Sequence, residues 1–544
     1  MKDDPVMPSP CYQLREIHLT LDEDESQLAE KIADYLTIPR FAIDNIHIIR
    51  CGIDARRKGR VWRVYTVQFT VDDASRIAHC QADPRLVVVA PSAAESVIVP
   101  TTSPQRVVVV GMGPAGLFAA LTLARHGHHV CLVERGNPVE QRVADVNRFW
   151  SGGELLGHSN VQFGEGGAGT FSDGKLTTRS KHPLTRTVLQ TLVDFGAPEQ
   201  ILINAKPHVG TDRLRQVLIN FRRELQRLGV ELRYECCLTD LVCRNDRLTG
   251  VILNGQQEQA CDAVVLAVGH SARDTYELLH QRKITLEAKP FAVGVRVEHP
   301  AELINQIQYG LAKHEHLPTA DYALTYNDRE TGRGVYSFCM CPGGQVVQSS
   351  SEANGVVVNG MSHFKRDGAM SNSALVVSVR PDDFADSSVL AGMYFQRHWE
   401  RQAFELGGGG YLPPAQNLMA FLGQGSGPVV STCRPGVVEA PLRQALPGFV
   451  VEGLLRALPQ FDRKMRGFVT REATLVGIET RTSAPVRILR GSDGQSVNCQ
   501  GLYPTGEGAG YAGGIMSAAV DGMQQALAIH RQTHHQHAGE QCFE

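Results

Sequence analysis

A glycine-rich turn between two apolar runs carries the first residues whose spacing points to chemistry. Gly111, Gly113 and Gly116 follow one apolar run, and Glu134 follows the next. In a dinucleotide fingerprint the first glycine permits a tight turn, the second lets the backbone approach a pyrophosphate, and the third lets the following helix pack on its strand. The N–H groups of the helix start then face the phosphates, and Glu134 is placed to accept a hydrogen bond from a ribose 2′-hydroxyl. The pattern predicts a dinucleotide-binding unit, with FAD and NAD both open.

A second glycine-rich segment, residues 163–176, favours a flavin. Its glycines allow close approach of the backbone to a ligand, and Thr170, Ser172 and Lys175 supply donors suited to a phosphate or a flavin edge. A third segment, residues 262–273, is an apolar strand that runs directly into a glycine turn. Backbone in such a turn is placed to cross near a dinucleotide.

The last glycine-rich segment, residues 501–515, leads into a helix of small residues. Glu507 within it is placed to hold a polyol hydroxyl. The N–H groups around Gly514 and Met516 are placed to stabilise negative charge at the N1/C2 carbonyl side of a flavin. Four such segments in this order favour FAD over NAD.

Together these segments resemble the FAD-binding superfamily of the glutathione-reductase type. The strand end beneath the cofactor in that superfamily corresponds here to Ala267, Val268 and Gly269, and Glu507 stands where the superfamily usually carries Asp. The chain also resembles the bacterial family of uncharacterised FAD-dependent dehydrogenases, in residues 164–176, 262–275, 338–346, 477–488 and 501–522. This second resemblance covers about residues 106–530 and implies FAD and an oxidoreductase, without a settled substrate.

The cofactor-binding residues that we predict lie in these glycine-rich segments or at strand ends beside them. They are Gly111, Gly113, Pro114, Ala115, Gly116, Glu134, Arg135, Gly167, Thr170, Ser172, Lys175, Leu238, Ala267, Gly269, Gly506, Glu507, Gly514, Ile515 and Met516. The sequence holds no second complete fingerprint, because residues 407–410 and 423–427 lack a strand–turn–helix context. We therefore expect no dedicated NAD(P)H domain, and the electron donor or acceptor stays unidentified.

Two cysteines before a Pro-Gly-Gly turn are the first catalytic residues that we predict. Cys339 and Cys341 are separated by one residue, so their side chains point to one face of a strand. A thiolate there is suited to a charge-transfer contact with a flavin, or to cycling through a sulfenic acid or a disulfide. The alternative is that both thiols only pack a wall of the flavin pocket.

His208 is the third catalytic candidate, and loop packing is its alternative role. Thr211 and Asp212, which follow it, fit a helix N-cap. Arg481 belongs to a polar cluster at 479–483 and is suited to an acidic substrate, to support of the flavin loop, or to a buried salt bridge.

The composition is typical of a globular chain of two to four domains. The 544 residues carry a net charge of −3, which argues against a nucleic acid or an acidic membrane as partner. The 13 cysteines are scattered and no signal peptide precedes them, so we expect a reduced cytoplasmic chain. We expect neither a membrane span nor a metal site.

The predicted fold class is α/β: a three-layer Rossmann-type FAD-binding domain interrupted by a β-rich substrate domain, with a small N-terminal α+β domain. The boundaries that we predict are 1–95 for the N-terminal domain, 96–105 for a linker, 106–286 and 456–530 for the two parts of the FAD-binding domain, 287–455 for the β-rich domain, and 531–544 for a flexible tail. The linker, rich in Pro, Ser and Thr, predicts that the N-terminal domain folds separately and does not touch the adenine site.

We expect an FAD-dependent oxidoreductase that acts on a small-molecule substrate, and two alternatives remain open. The first is an RNA-associated flavoprotein that docks nucleic acid through the basic turn of Arg56, Arg57 and Lys58 in the N-terminal domain. The second is a flavin-holding structural protein without turnover.

Overall fold

The computed structural model describes residues 10–57, 59–80, 82–89, 100–178 and 181–540, with the backbone alone for 534–540. Residues 96–99 of the predicted linker, Lys58 of the basic turn and the last four residues of the predicted tail lie outside the described residues.

The N-terminal part is a four-stranded antiparallel sheet in the order β2-β3-β1-β4. Its elements are β1 (Cys11–Leu19), α1 (Leu28–Leu36), β2 (Ile43–Arg57), β3 (Arg60–Val71) and β4 (Leu86–Val89). Buried residues alternate along β3, as expected for a strand with one face on a core. Ile32 and Leu36 of α1 belong to that core.

The nucleotide-binding part is built around a five-stranded parallel sheet. Its first segment contains β5 (Arg106–Val110), α2 (Pro114–Arg125), β6 (His129–Val133), α3 (Val139–Phe149), α4 (Leu184–Asp194), α5 (Thr211–Arg227), β7 (Glu231–Arg233), β8 (Leu238–Arg244), β9 (Arg247–Leu253), β10 (Gln257–Ala260), β11 (Ala263–Leu266) and α6 (Arg273–Gln281). Strands β8, β9 and β10 form a separate antiparallel sheet.

A β-rich insert, residues 286–488, interrupts this part of the chain. It contains β12 (Leu286–Ala288), β13 (Phe291–Pro300), α7 (Ala301–Tyr309), β14 (Thr325–Asn327), β15 (Gly334–Cys341), β16 (Gln345–Gln348), β17 (Val358–Met361), β18 (Met370–Val379), α8 (Ala391–Leu406), β19 (Pro414–Asn417), α9 (Leu418–Leu422), β20 (Val438–Glu439), α10 (Gly448–Lys464), β21 (Thr474–Glu479) and β22 (Val486–Ile488). Its main sheet has seven strands in the order β14-β15-β18-β13-β21-β19-β20.

The chain returns to the parallel sheet with β23 (Leu502–Pro504) and α11 (Ile515–Glu540). The sheet order is then β23-β11-β5-β6-β7, and α2 packs between the sheet and α11. Every residue of α2 from Ala115 to Leu123 is buried, which accounts for the apolar character of this helix on all sides. Within the described residues, no helix is both long and apolar enough to cross a membrane.

The insert extends further than the boundary that we predicted at residue 455. Helix α10 crosses that boundary without a break, and its Leu454 and Leu458 are buried in the core of the insert. Strand β21 lies inside the main sheet between β13 and β19. These contacts join sequence-distant segments, so local sequence did not indicate them.

The predicted flexible tail needs a similar correction. Helix α11 continues to Glu540, past residue 531 where we expected it to fray. No Pro or Gly interrupts residues 523–538, so no residue type that ends helices stops α11 there.

The N-terminal sheet encloses its own core and also packs against the insert. Val61 belongs to the buried core of the insert, and Leu21 and Ile53 pack against the same core. The backbone N–H of Cys51 also donates to the carbonyl oxygen of Ile203 at 2.8 Å. The β2–β3 hairpin therefore shares its apolar side chains with the insert.

Candidate functional site

One large cavity lies between the parallel sheet and the insert. Its first end, the fingerprint end, is lined by Gly111, Gly113, Glu134 and Arg135, together with residues 236–238. Its other end, the insert end, is lined by Phe338, Cys339, Asn359, Glu479 and Arg481. No described residue before Val110 lines the cavity, so the N-terminal sheet stays away from it.

The fingerprint glycines have the close packing that the sequence predicts. Gly111 has a φ of +101°, a left-handed conformation that favours glycine, and a Cβ there would overlap the carbonyl oxygen of Ala267. A Cβ at Gly116 would overlap the carbonyl oxygen of Gly111, so α2 could not pack as closely on β5. Gly113 differs, because a Cβ there would meet only the Cα of Gly167, at 3.8 Å.

Glu134 supports the loops around the fingerprint end. Its carboxylate accepts hydrogen bonds from the backbone N–H groups of Met112 at 2.9 Å, Gly136 at 3.0 Å and Gly164 at 2.9 Å. A carboxylate has about four acceptor positions, so one remains for a ribose hydroxyl. Next to it, the Arg135 guanidinium lies 4.4 Å from the centre of the Phe163 ring.

Three polar residues of the 163–176 segment, Ser172, Asp173 and Lys175, line the cavity, and all have partners within the protein. The Ser172 hydroxyl donates to the carbonyl of Gly169 at 2.7 Å. The Lys175 ammonium contacts Asp173 at 2.8 Å and donates to the carbonyl of Met340 in the insert. Lys175 therefore joins the two parts of the protein across the cavity.

At the insert end, Cys339 lies in a β-bulge between β15 and β18. The pairing shifts between Phe338 and Cys341, and Cys339 has a left-handed φ of +45°. Arg296 donates to the carbonyl of Cys339 at 2.6 Å, and Lys175 holds the next carbonyl. Two cations thus fix the bulge that presents Cys339 to the cavity.

The electrostatic surroundings favour a thiolate at Cys339. A hydrogen bond from the Cys341 thiol, with Lys175 and Arg296 nearby, lowers the pKa of Cys339 to about 5. The same interaction raises the pKa of Cys341, which then stays protonated. The two thiols are coupled, and these opposite shifts favour ionisation of Cys339 before Cys341.

The pKa values of two carboxyl groups in the cavity are raised, whereas that of Cys339 is lowered. Burial raises the pKa of Glu479 to about 7, although Arg296 opposes this effect. Burial also raises the pKa of Glu507 to about 7, against the attraction of Lys289. Both groups therefore exchange protons close to neutral pH.

Six of the predicted site residues do not line the cavity. They are Gly116, Thr170, Gly506, Met516, Cys341 and His208. The glycines serve close packing, since a Cβ at Gly506 would lie 2.8 Å from the Cβ of Ala115. The Met516 side chain is buried in the core, although its backbone N–H belongs to the first turn of α11.

Thr170 and His208 are corrected to structural roles. The Thr170 hydroxyl donates to the carbonyl of Glu165 at 3.1 Å and accepts from the buried Arg142 at 3.2 Å. His208 Nε2 donates to the carbonyl of Phe364 at 2.8 Å, and its ring stacks on the Phe364 ring. Both side chains are satisfied by loop contacts, which the sequence pattern does not distinguish from ligand contacts.

The predicted N-cap at Thr211 and Asp212 is also different. Gly210 occupies the cap position of α5 and makes no side-chain bond, whereas the Thr211 hydroxyl donates to the carbonyl of Thr170 at 2.6 Å. Asp212 accepts the backbone N–H of Phe364 at 2.8 Å. Both side chains therefore connect α5 to neighbouring loops.

Arg481 lines the cavity but belongs to a buried ion-pair network. Its guanidinium binds Glu400 through Nε at 3.0 Å and Nη2 at 2.8 Å, and Nη1 donates to the hydroxyls of Ser271 and Ser351. Arg273 binds the same Glu400 at 2.7 Å. Of the roles that we considered, this geometry supports the buried salt bridge.

Sequence reasoning missed Arg296 and Asn359, and it noted Glu479 only as part of the polar cluster at 479–483. Asn359 and Glu479 line the cavity, and Arg296 binds both side chains from beneath, each at 3.0 Å. A signal was present, because Arg296 and Glu479 are charged residues inside strands whose other residues are mostly apolar and buried.

Other predictions concern groups away from the cavity. Arg56 of the basic turn is paired with Asp54 at 2.6 Å, which offsets its charge. Among the described residues, no group of three or more His, Cys, Asp or Glu side chains is arranged to hold a metal ion.

The residues present fit FAD on several grounds. Gly113 and Gly167 lie next to each other in the cavity wall, and the absence of side chains there leaves space for a pyrophosphate. An acceptor remains on Glu134 for a ribose, and the start of α11 at Ile515 directs N–H groups into the cavity. The cavity and the parallel sheet thus define a nucleotide-binding flavoprotein.

Comparison with known families agrees with this class. An FAD-binding domain profile matches residues 106–167, and a profile described as "FAD-dependent protein, C-terminal domain-like" matches residues 290–482. Residues 12–70 match a domain of unknown function. FAD is therefore the cofactor of this protein, as the sequence predicted.

Three relatives are similar in sequence. An uncharacterised protein of Clostridium beijerinckii is 46% identical over 526 residues, covering 95% of this chain and 98% of the relative. Protein FixC of Salmonella typhi is 27% identical, over 36% of this chain and 44% of its own. The FAD-dependent monooxygenase nodY2 of Hypoxylon pulicicidum is 29% identical, over 36% of this chain and 43% of its own. The chain belongs to the family of the clostridial protein.

The similarity to solved structures is more distant. The flavin-dependent brominase Bmp2 has a TM-score of 0.36 and 12% identity, with 78% of this chain and 79% of that chain covered. Glycine oxidase from Bacillus cereus has a TM-score of 0.30 and 13% identity, with 78% and 95% covered.

Proposed function

We propose that this protein is an FAD-dependent oxidoreductase of the glutathione-reductase-type superfamily, and that a small-molecule substrate reacts at the insert end of its cavity. One observation carries the proposal. The glycine loops of the parallel sheet and the polar residues Cys339 and Glu479 of the insert line a single cavity. A cofactor held at one end therefore has ionisable groups beside its far end.

Bound FAD supplies the acceptor or donor of a hydride or of electrons. The chain's own residues bind and orient it. Gly113 and Gly167 leave room for the pyrophosphate, Glu134 offers an acceptor to the ribose, and the first turn of α11 offers N–H groups. Glu507 lines the cavity next to these groups and is placed to hold the ribitol.

Cys339 gives the insert end its distinctive chemistry. Lys175 and Arg296 favour its thiolate, and the bulge directs it into the cavity. In this proposal the thiolate faces the flavin and tunes its reactivity by charge, while Cys341 donates a hydrogen bond from behind. The electron donor or acceptor is an external small molecule, and the location is cytoplasmic.

The experiment is an anaerobic screen of the purified protein. Acid precipitation is expected to release intact FAD, and a panel containing NADH, NADPH and metabolites is expected to include a compound that bleaches the flavin absorbance. A protein without FAD would overturn the proposal. A flavin reduced by dithionite but by no compound of the panel would favour the structural alternative without turnover.

A pair of serine variants tests the role of the thiolate. Cys339→Ser is expected to change the flavin spectrum and its rate of reoxidation. Cys433→Ser is the matched control, because Cys433 is buried in the insert but does not line the cavity. Equal spectra and rates for both variants would show that Cys339 only packs the wall.

A further inference from the structure

Glu479 is a buried carboxyl group that opens onto the cavity beside Cys339. It lies at the end of β21, is 2% exposed and lines the insert end. Its Oε2 accepts a hydrogen bond from Arg296 at 3.0 Å. Among the described residues, no hydrogen-bond donor contacts its other oxygen, Oε1, so that oxygen is available to a molecule in the cavity.

Arg296 fixes the position of this carboxyl group. Its Nε donates to Asn372 at 2.9 Å, its Nη1 to Asn359 and Glu479, and its Nη2 to the carbonyl of Cys339. Arg296 is fully buried, so these hydrogen bonds set the position of its guanidinium. The carboxyl group and the thiol are consequently held on the same side of the cavity.

The charged and titratable groups around Glu479 come from several elements. They are Arg296 and Glu298 on β13, Cys339 and Cys341 on β15, Lys175 of the 163–176 segment, and Arg481 with Glu400 of α8. Arg481 belongs to a buried ion network with Glu400, Arg273 and Glu352, and Glu298 is bound by Ser431 and Thr432. The groups that act on Glu479 are therefore Arg296, which favours the carboxylate, and Cys339, which opposes it.

We infer that Glu479 is the group that exchanges the substrate proton, and that the substrate is an alcohol or amine. This inference rests on the proposed function. A buried carboxyl group with one free oxygen suits a small organic molecule that loses a proton together with a hydride, rather than a protein that delivers single electrons.

The step balances in atoms and electrons. The C–H bond of the substrate breaks and its electron pair leaves with the hydrogen as hydride to the bound FAD. The O–H or N–H proton on the neighbouring atom passes to Oε1 of Glu479, and a C=O or C=N bond forms. The proton then leaves Glu479 for water. A pKa of about 7 suits such an exchange at neutral pH.

Glu507 is the competing candidate for this assignment. It lines the same cavity and its pKa is also raised to about 7, but it lies on the segment before α11, near Lys289. Its carboxyl group therefore titrates in the same pH range but lies on a different segment of the chain. The two glutamates are distinguished by substituting each with the isosteric Gln.

The experiment measures the midpoint potential of the flavin in the holoenzyme across a pH range centred on about 7. Reduction adds negative charge to the cavity and raises the pKa of a carboxyl group beside it, so reduction takes up an extra proton above this pH. Glu479→Gln is expected to lose that extra proton. The control Glu298→Gln, at a buried carboxyl group that does not line the cavity, is expected to keep it. The reverse result, or no difference between wild type and Glu479→Gln, would overturn the inference.

A second measurement separates this inference from the proposed function. Infrared spectroscopy of the protein without FAD is expected to show protonated carboxyl absorption from Glu479 and Glu507 that disappears as the pH rises through about 7. Glu479→Gln is expected to lose the Glu479 part of this absorption, and Glu507→Gln to retain it. A wild-type protein without a reducible flavin would refute the proposed function, and the infrared titration would still test Glu479. If Glu479→Gln does not fold, Glu479→Asp replaces it. The infrared titration of Glu479→Asp is expected to show a carboxyl group that loses its proton at a shifted pH. A titration without that carboxyl group would overturn the inference.

Discussion

The guanidinium of Arg296 donates through Nη1 to Oε2 of Glu479 at 3.0 Å, from β13 to the neighbouring strand β21. Both side chains are buried, with 0% and 3% exposed. Because a buried charge is stable only with its partner, the pair holds the two strands and the cavity wall in one arrangement. The same guanidinium binds Cys339, so the wall depends on Arg296 at three points.

Removal of Arg296 is expected to destabilise the insert. Arg296→Met leaves the Glu479 carboxyl group buried without its ion partner, and the expected loss is about 3–5 kcal/mol of the free energy of unfolding. The double variant with Glu479→Leu removes both charges and is expected to recover part of that loss. Denaturant unfolding measures each value.

The control is Lys206→Met, which breaks the solvent-exposed pair between Lys206 and Asp321. Its expected effect is at most about 1 kcal/mol, since exposed ion pairs contribute little. An equal effect of both substitutions would contradict a structural role of the buried pair.

Gly113→Ala is expected to prevent FAD binding without unfolding the protein. An added Cβ meets only ordinary van der Waals contact with Gly167, so its conflict is with the bound pyrophosphate. A tenfold or greater loss of affinity, about 1.4 kcal/mol, is expected when FAD is titrated into the apo-protein. The matched control is Gly410→Ala, an exposed position where a Cβ meets no protein atom within 4 Å. Unchanged binding in Gly113→Ala would place the pyrophosphate elsewhere.

The contact between the N-terminal sheet and the insert is tested by Val61→Ala. Val61 is 9% exposed and belongs to the core of the insert, so the loss of two methyl groups is expected to cost about 2 kcal/mol. Val88→Ala, at a position 60% exposed on β4, is expected to change stability by about 0.5 kcal/mol or less. Calorimetry measures the melting temperatures of both variants. Equal melting temperatures of Val61→Ala and Val88→Ala would support an N-terminal domain that folds independently of the insert.

The sequence predicted a dinucleotide site because the fingerprint is local, and the later glycine-rich segments favoured FAD over NAD. Gly111, Gly113 and Glu134 lie within one strand–helix–strand unit, and their spacing alone places them at one sheet edge. The family profiles confirm FAD. Residues that contact a ligand through backbone in the same unit are predictable for the same reason.

The insert end was not predictable in this way. Arg296 and Glu479 are 183 positions apart in the chain and meet only because β13 and β21 pair. The side-chain contacts of His208 are similarly non-local, with a partner 156 positions away in Phe364. Short motifs indicate which residue types are available, whereas sheet order decides which of them face the cavity.

The last prediction concerns the pH dependence of Cys339. Its pKa is lowered to about 5, first by the hydrogen bond from Cys341 and then by the nearby cations Lys175 and Arg296. An unfolded thiol titrates near about 8.5. A lowered pKa in the folded state stabilises the fold above the unfolded value, and this contribution is lost as the pH falls through about 5. The raised pKa of Cys341 makes a contribution of opposite sign to the pH dependence of stability. The chemical reactivity of Cys339 is therefore a more direct measurement than stability.

Alkylation by iodoacetamide, followed by mass spectrometry of the peptide containing Cys339, measures that reactivity. Because the thiolate is the nucleophile, modification of Cys339 is expected to persist down to about pH 5 and then to decline. Lys175→Met is expected to move the decline to higher pH, since it removes one of the cations that favour the thiolate, while Cys433, whose pKa is raised by burial, stays unmodified. A decline that already begins near about pH 8.5 in the wild type would show an ordinary thiol and remove the charge argument for Cys339.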